Sequence, residues 1–364
     1  MQTVKESKKK YTQREIRKAD EARNLSRVLC HPEQSVLERM IRENVLQNCK
    51  VTIQDVKRAE KIYGKSIPAT KGRSRRTESE RLPSREPIQI PQQIVDEYVF
   101  ITLCTDFFYV NKVAVFHAIS RDLKHRFVGF PDSRSAQQMI QYMRQVDNLY
   151  AARGFRINTV HADPEFEKIR EAIRPMDLIS CEAGAHVPEI ERSVQTVKNG
   201  CRSQTHSMPY RAIPRVMTRA LVKMVNDNLN AQPARDGYTG ATARNIIDNL
   251  PHLDCDELKY EFGSYVQLHI NEQITNTMRH RTIDAIVLNP TRNGKYKFMS
   301  LETGREVDGT VKEVLPLTDA IIRKVETMAR NQGVSLNQSR MLAFEWKEHK
   351  ERKNKERKSK ERRL

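Results

Sequence analysis

The sequence predicts an α/β chain: a mixed five-stranded sheet flanked by helices, preceded by a helical N-terminal segment and followed by a small β-rich domain. Three observations predict it. Residues 93–232 alternate β-branched apolar runs with segments of helical spacing, in the order β-β-β-α-β-α-β-α-α. Residues 1–64 carry helical spacing alone. Residues 258–316 hold short strand-like runs separated by turn dipeptides. A length of 364 residues accommodates two or three compact units.

In the segment 1–64, Val36, Leu37, Met40, Ile41 and Val45 sit at helical spacing. Thr52 with Asp55 three positions on is a capping-box start for the next helix, and Gly64 closes that run. Residues 65–92, KSIPATKGRSRRTESERLPSREPIQIPQ, are charged and punctuated by prolines, which predicts a basic linker. The core 93–232 opens with three strand runs, IVDEYVFITLC, KVAVFHAI and HRFVGF. SAQQMIQYMRQVDNLYAARG is a helix ended by Gly154, FRINTVH a strand, EFEKIREAI a short helix and DLISC a strand. HVPEIERSVQTVKNG is a helix ended by Gly200, and a longer helix covers about residues 210–230. Three leading strands followed by alternating units give a mixed sheet, with the strand order of RNase H-like folds. A connector, 233–257, leads to the β-rich domain 258–316: YVQLHI, AIVLNP, KYKFMSL and REVDGTVKEVL, with turns at Asn293-Gly294 and Thr303-Gly304. Residues 317–364 read as a helix and a basic tail, KEHKERKNKERKSKERRL, with ten Lys/Arg against four Glu.

The formal net charge is +18 and the isoelectric point about 9.7, which favours a polyanionic partner through release of condensed counterions. Lys71, Arg73, Arg75 and Arg76 in the linker form one basic cluster; it reads either as a solvated face or as DNA contact, and the net charge favours DNA. Six scattered cysteines (Cys30, Cys49, Cys104, Cys181, Cys201, Cys255) with no CxxC pair argue against a disulfide scaffold and suit a reducing compartment. No apolar run is long enough to span a bilayer, so no membrane is expected. The start, MQTVKESKKKYTQREIRK, has no apolar stretch of the kind a secretory signal needs.

Three acids stand where chemistry is expected. Asp106 follows YVFITLCT, at or near the end of the first core strand, and Asp163 follows FRINTVHA in the same way at the end of the fourth. Glu191 lies in the helix after the fifth strand, on the border of the stripe Val187, Ile190, Val194 and Val197. An Asp after a strand is commonly a turn former or helix cap, and surface helices are rich in Glu. The expectation rests on the three holding matched places in one sheet order. Phosphodiester chemistry must stabilise both the attacking and the leaving oxygen, and hard divalent cations that do so want carboxylate ligands. His161 and His186 flank the acid motifs; either could touch a phosphate or the nucleophile, but ordinary surface or core histidines are the favoured reading. Leu301-Glu302-Thr303-Gly304 reads as a hairpin turn. No Ser-His-Asp pattern, phosphate-cradling glycine loop or dinucleotide fingerprint is present.

TDFFYVN, HADPEFEKIR and HVPEIERSVQTVK resemble the three acid motifs of integrases from copia-type LTR retrotransposon Pol polyproteins. IPRVMTRALVKMVNDNLNAQP resembles the helix that closes their core. YTQREIRKADEARNLSRVL, with NCKVTIQDVKRAEKIYG, and NTMRHRTIDAIVLNPTRNGKYKFMSLETGREV resemble the segments before and after it. The resemblance implies that Asp106, Asp163 and Glu191 are catalytic and bind Mg²⁺ or Mn²⁺. Glu191 is preferred to Glu189 because it precedes Arg192, as the third acid precedes Arg in the family. It also implies that Arg192 and Lys198 contact DNA, Lys198 matching a basic position two helical turns beyond the acid. The implied activity is metal-dependent 3′ processing and strand transfer, inserting element DNA into target DNA. Element ends, target DNA, further copies of the chain and other Pol products are the implied partners, in the nucleus after a cytoplasmic particle stage. Two departures stand out: Pro164 replaces the usual Gly or Asn, and the interval from Asp163 to Glu191 is shorter than in retroviral integrases. Cys30, His31 and Cys49 find no second His or CxxC to complete a tetrahedral set, so zinc is not expected. Two alternatives are a decayed or co-opted fragment that binds nucleic acid through its basic linker and tail, and a hydrolytic RNase H-like nuclease.

Overall fold

A computed structural model describes residues 1–46, 48–73, 89–180, 187–233, 241–269, 280–291 and 294–334, with the backbone of 344–345. The chain forms two units. One comprises Met1–Leu82, Ser207–Met217 and Lys259–Ser335; the other comprises Pro83–His206, Thr218–Leu258 and Leu336–Leu364.

The first unit begins with α1 (Val4–Lys8), α2 (Gln13–Val28), α3 (Gln34–Arg42), α4 (Ile53–Tyr63) and α5 (Ile67–Arg73). Thr3 with Glu6, Thr12 with Glu15 and Thr52 with Asp55 form reciprocal capping boxes, each satisfying two backbone donors that a helix start leaves open. Ala19 and Ala22 of α2 are buried with Leu37, Val56, Ala59 and Ile62, small residues letting α2 and α4 approach closely. Helical spacing extends to Val45 in the sequence. In the structure α3 stops at Arg42, Asn44 takes a positive φ of 50°, and Val45 is 60% exposed. Gly64 caps α4 at φ 72°, where a Cβ would stand 2.7 Å from Pro316 Cδ. The expected linker is helical at both ends, in α5 and in α6 (Gln92–Glu97); residues 74–88, with Arg75 and Arg76, lie outside the described residues.

The second unit is built on β1 (Phe100–Val110), β2 (Val113–Ser120), β3 (Arg126–Gly129), α7 (Ala136–Ala151), β4 (Arg156–Ala162), a 3-10 segment (Pro164–Ile173), β5 (Asp177–Ser180), α8 (Pro188–His206), most of α9 (Arg215–Asn230), and α10 (Ala243–Ile246). The strand order is β3-β2-β1-β4-β5. β1 runs antiparallel to β2 and parallel to β4, which is parallel to β5. This is the RNase H-like arrangement expected from the sequence. Asn111 and Lys112, both at positive φ, make the two-residue β1–β2 hairpin. One sheet face, with Ile101, Leu103, Phe107, Phe116 and Val160, is buried with Met139, Met143, Val146 and Tyr150 of α7. The opposite face, with Cys104, Asp106, Phe108 and His117, meets α8.

Four expectations are corrected here. The run IVDE is the end of α6 rather than strand, with Ile94 fully buried on its inner side. β1 continues through Asp106 to Val110, so Asp106 is mid-strand. Gly200 does not end α8, which runs to His206; it lets α9 approach, since a Cβ there would stand 2.5 Å from Val225 Cγ1. α9 starts at Arg215 rather than 210, because Pro209 and Pro214 disfavour helical backbone just before them.

The first unit is completed by β6 (Tyr265–His269), β7 (Ile283–Pro290), β8 (Tyr296–Ser300), β9 (Glu306–Val307), β10 (Thr310–Leu315) and α11 (Asp319–Asn331). Their order is β10-β6-β7-β8-β9, all antiparallel. REVDGTVKEVL is therefore two strands, broken at Asp308-Gly309, and they lie at opposite edges of the order. Two residues can join opposite edges only if the sheet curls on itself. Gly309 makes this close passage, for a Cβ there would meet the His269 carbonyl at 2.6 Å. β11 (Phe344–Glu345) pairs with β1 in the second unit. Among the described residues no helix is long and apolar enough to cross a membrane.

Candidate acid site

The parallel register of β1 and β4 runs from Phe100↔Arg156 to Thr105↔Ala162. Asp106 and Asp163 are the next residues along the two chains, one step beyond the last paired residues. There the two chains diverge. β1 continues, while Asp163 (φ −59°, ψ 152°) becomes the cap of the 3-10 segment that starts at Pro164. The Phe166 amide closes this turn by donating to the Asp163 carbonyl at 2.9 Å. Asp106 Oδ1 accepts from the Phe107 amide at 2.6 Å. Both side chains are partly exposed.

A chain of hydrogen bonds fixes α8 above the Asp106 row. His117 of β2 lies directly opposite Asp106 in the antiparallel register. Its Nδ1 is 3.1 Å from the Phe127 carbonyl, which only accepts, so Nδ1 carries the proton. Its Nε2 therefore accepts from Ser193 Oγ of α8 at 2.8 Å, and that oxygen accepts from Arg126 Nε at 3.2 Å. Both ring nitrogens of His117 and the Ser193 hydroxyl are used in this chain, provided His117 is neutral. Burial, reinforced by the nearby Arg126 guanidinium, pushes its pKa down to about 3.

Glu191 lies two residues before Ser193 in the first turn of α8, partly exposed at the edge of the buried stripe Ile190, Ser193, Val194, Val197, Lys198 and Cys201. Glu189 instead pairs with Arg121 Nε at 3.0 Å, which engages the neighbouring acid. His161 of β4 stands in the same surroundings. Burial first and Arg121 second lower its pKa, with Glu189 opposing. His186 lies outside the described residues.

The expected DNA contacts fall into three groups. Arg192 is exposed. Lys198 is 1% exposed, with Nζ 5.8 Å from the centre of the Phe108 ring, so it faces the sheet rather than solvent. Burial and Arg202 push its pKa down to about 8, while the negative charge of Asp106 pulls the other way. In this arrangement it is an internal cation on the Asp106 face of the sheet. Lys71 is likewise engaged, its Nζ 2.6 Å from Asp284 of β7. The Asp284 carboxylate also accepts from Gln267 Nε2 at 2.6 Å and from the Tyr265 hydroxyl. The side chains of Arg73, Arg75 and Arg76 lie outside the described residues.

Two carboxylates at adjacent positions on parallel strands repel one another unless a cation is near, so the pair Asp106 and Asp163 fits a divalent ion. Among the described residues no three His, Cys, Asp or Glu side chains are grouped closely enough to hold one metal ion. The fit is therefore that of the pair alone; Glu191 lies in the first turn of α8 and is not grouped with it closely enough to share one ion. Sequence reasoning missed the His117, Ser193 and Arg126 chain. Its signal was present: a His inside the apolar run KVAVFHAI and a Ser within a buried helical stripe both demand hydrogen-bond partners.

No protein-family model and no curated protein matches the chain. Among solved structures it is similar to the catalytic core domain of BIV integrase, at 14% identity over 40% of this chain and 92% of that one, with a TM-score of 0.30. It is also similar to the HTLV-2 integrase catalytic core domain in complex with magnesium. The trimeric form matches at 13% identity over 40% of this chain and 95% of that one, and the dimeric form at 13% over 40% and 94%, each with a TM-score of 0.30. The assignment of the fold stands on the order and direction of β1 to β5.

Proposed function

We propose that the chain is an integrase-type polynucleotidyl transferase of the copia-type retrotransposon kind. On this reading it trims the 3′ ends of element DNA and joins them to target DNA. The observation that carries the reading is that Asp106 and Asp163 each stand one step beyond the last β1–β4 register pair, on a sheet of RNase H-like order, with Glu191 in the first turn of α8, the helix packed on the Asp106 face. Asp106 and Asp163 would hold Mg²⁺ or Mn²⁺ and Glu191 would complete the set. When bound, such ions stabilise charge on the attacking and leaving oxygens of a phosphodiester. Asp106 is held rigidly within β1. Asp163 is aimed by the turn that Pro164 begins. The exposed Arg192 meets a DNA phosphate, and Lys198 offsets carboxylate charge from beneath. Further copies of the chain and other Pol products are its proposed protein partners, and the nucleus its place of action.

The test is a strand-transfer assay of the purified chain with Mg²⁺ or Mn²⁺ and element-end oligonucleotides. Joined products are expected, and Asp106→Asn or Asp163→Asn should abolish them. Activity surviving either substitution refutes the assignment. Metal-independent DNA binding without turnover would point instead to a co-opted binding fragment, and cleavage without joining to a nuclease.

A further inference from the structure

The 3-10 segment that follows Asp163 is fastened to β1 by side chains. The Phe166 ring stacks on Phe107, with centroids 5.6 Å apart and planes 27° apart. Phe107 is the residue after Asp106, and strand alternation turns it to the α7 face while Asp106 faces α8. On that α7 face the loop before the helix supplies Arg134. Its guanidinium carbon lies 4.8 Å from the centre of the Phe107 ring and 5.8 Å from that of Tyr109, inside the roughly 6 Å at which a cation attracts a ring face. The same guanidinium reaches Glu165, the second residue after Asp163, with Nη2 2.8 Å from Oε2. These two side chains are 18% and 20% exposed, against 41% for both members of the Arg170–Glu167 pair on the same segment. Solvent and salt therefore screen the Arg134–Glu165 pair less. Lys168 closes the clasp, its Nζ donating to the Arg134 carbonyl at 2.8 Å. One residue thus holds both the ring that follows Asp106 and the segment that follows Asp163, beyond the last β1–β4 register pair at Thr105↔Ala162.

We propose that Arg134 is a positioning residue of the acid pair: by clasping Glu165 to the Phe107 row, it sets where Asp163 stands relative to Asp106. Its contacts with Phe107 and Tyr109 lie on the face opposite Asp106, so it acts through Glu165 and not as a ligand. The inference rests on the reading, proposed above, of those two acids as ligands of a divalent ion.

Mn²⁺ binding to the purified chain, followed by electron paramagnetic resonance without DNA, reports the geometry of the pair and needs no turnover. Arg134→Gln and Glu165→Gln should each weaken binding about tenfold, the lower end of the cost of losing a contact that orients a metal ligand. The double variant should bind as weakly as either single one, because both changes open the same clasp. Arg170→Gln is the control: it removes an exposed pair of the same segment that does not touch β1, and it should leave Mn²⁺ binding unchanged. Unchanged binding in Arg134→Gln overturns the inference, and so do losses that multiply in the double variant. An equal loss in Arg170→Gln also overturns it, since any loosening of the segment would then suffice. Binding that Asp106→Asn does not weaken refutes the metal reading of the acids instead. The clasp then keeps a measure of its own that needs no metal, hydrogen exchange of the Phe166 amide, which donates to the Asp163 carbonyl. Exchange should be faster in Arg134→Gln, and an unchanged rate overturns the clasp.

Discussion

Acidification should loosen the hold of the sheet on α8, and His117 sets the size of the effect. Its imidazole is fully buried, donates from Nδ1 to Phe127 and accepts at Nε2 from Ser193. A proton on Nε2 would remove the acceptor for Ser193 and set a second cation beside Arg126, the charged group facing it from β3. The folded pKa is about 3 against 6.5 for an ordinary histidine. Between those values the unfolded chain binds a proton that the folded chain refuses, so stability is full above pH 6.5 and is lost as pH falls towards 3. The relation of protons bound to stability gives a loss of about 2 kcal/mol between pH 7 and pH 5, and about 4 kcal/mol once pH 3 is reached. The readout is amide hydrogen exchange at Val115, Phe116 and Ala118, corrected for intrinsic rate, where about 2 kcal/mol corresponds to an open population about thirtyfold larger at pH 5 than at pH 7. The control is His117→Gln, whose amide can donate to Phe127 and accept from Ser193 without titrating in this range. Its exchange should show a pH dependence flatter by the same amount. An identical pH dependence in the variant and the parent protein refutes the reasoning.

Two close approaches give further predictions. Gly200→Ala brings a methyl to within 2.5 Å of Val225 Cγ1 and should cost about 1–2 kcal/mol, overpacking outweighing the helix propensity gained; thermal unfolding of Gly200→Ala with and without Val225→Ala measures it, and additive effects of the two changes would disprove the contact. Lys71→Met should lower the stability of the first unit by about 1–3 kcal/mol while leaving the salt slope of DNA binding unchanged, because Lys71 is engaged with Asp284; a slope reduced by about one counterion would restore Lys71 to the DNA interface.

What is legible in the sequence is local. The β-β-β-α-β-α-β order, the Thr52 and Asp55 box and the Gly64 cap each depend on residues a few positions apart, where period and capping chemistry act directly. Asp106 stands out in the chain as the acid that breaks an apolar run, but its setting cannot be read there. The apolar run YVFITLCT breaks at the acid, while the strand continues through FFYV because Asp106 points to the α8 face and stays partly exposed. Gly200 stands out in the sequence for the wrong reason: a glycine that caps a helix and one that admits a neighbouring helix look alike until Val225 is placed. Lys198 and Lys71 look like surface cations in any helical register. Their settings, beside Phe108 and Asp284, come from elements far along the chain. The bond between His117 and Ser193, 76 residues apart, is hidden for the same reason.

The three acids rest on supports of decreasing rigidity, and this bears on how the proposed site would assemble. Asp106 is paired on one side along β1 and cannot shift without breaking the β1–β2 ladder. Asp163 stands where β4 ends and a 3-10 turn begins, so its backbone is held from one side by the strand and from the other by the Phe166 amide. Glu191 sits in the first turn of α8, whose leading amides no earlier turn of the same helix can satisfy, and two residues on Ser193 fastens that helix to the sheet. The anchor is a hydrogen bond to a neutral imidazole rather than an ion pair, and the Arg126 guanidinium donates to the same Ser193 hydroxyl. Of the three, Glu191 is the acid that a small rotation of one helical turn would move furthest, and the turn that carries it is fastened at the row of Asp106. A change at Ser193 should therefore reach the acid site through Glu191 and leave the β1–β4 register untouched.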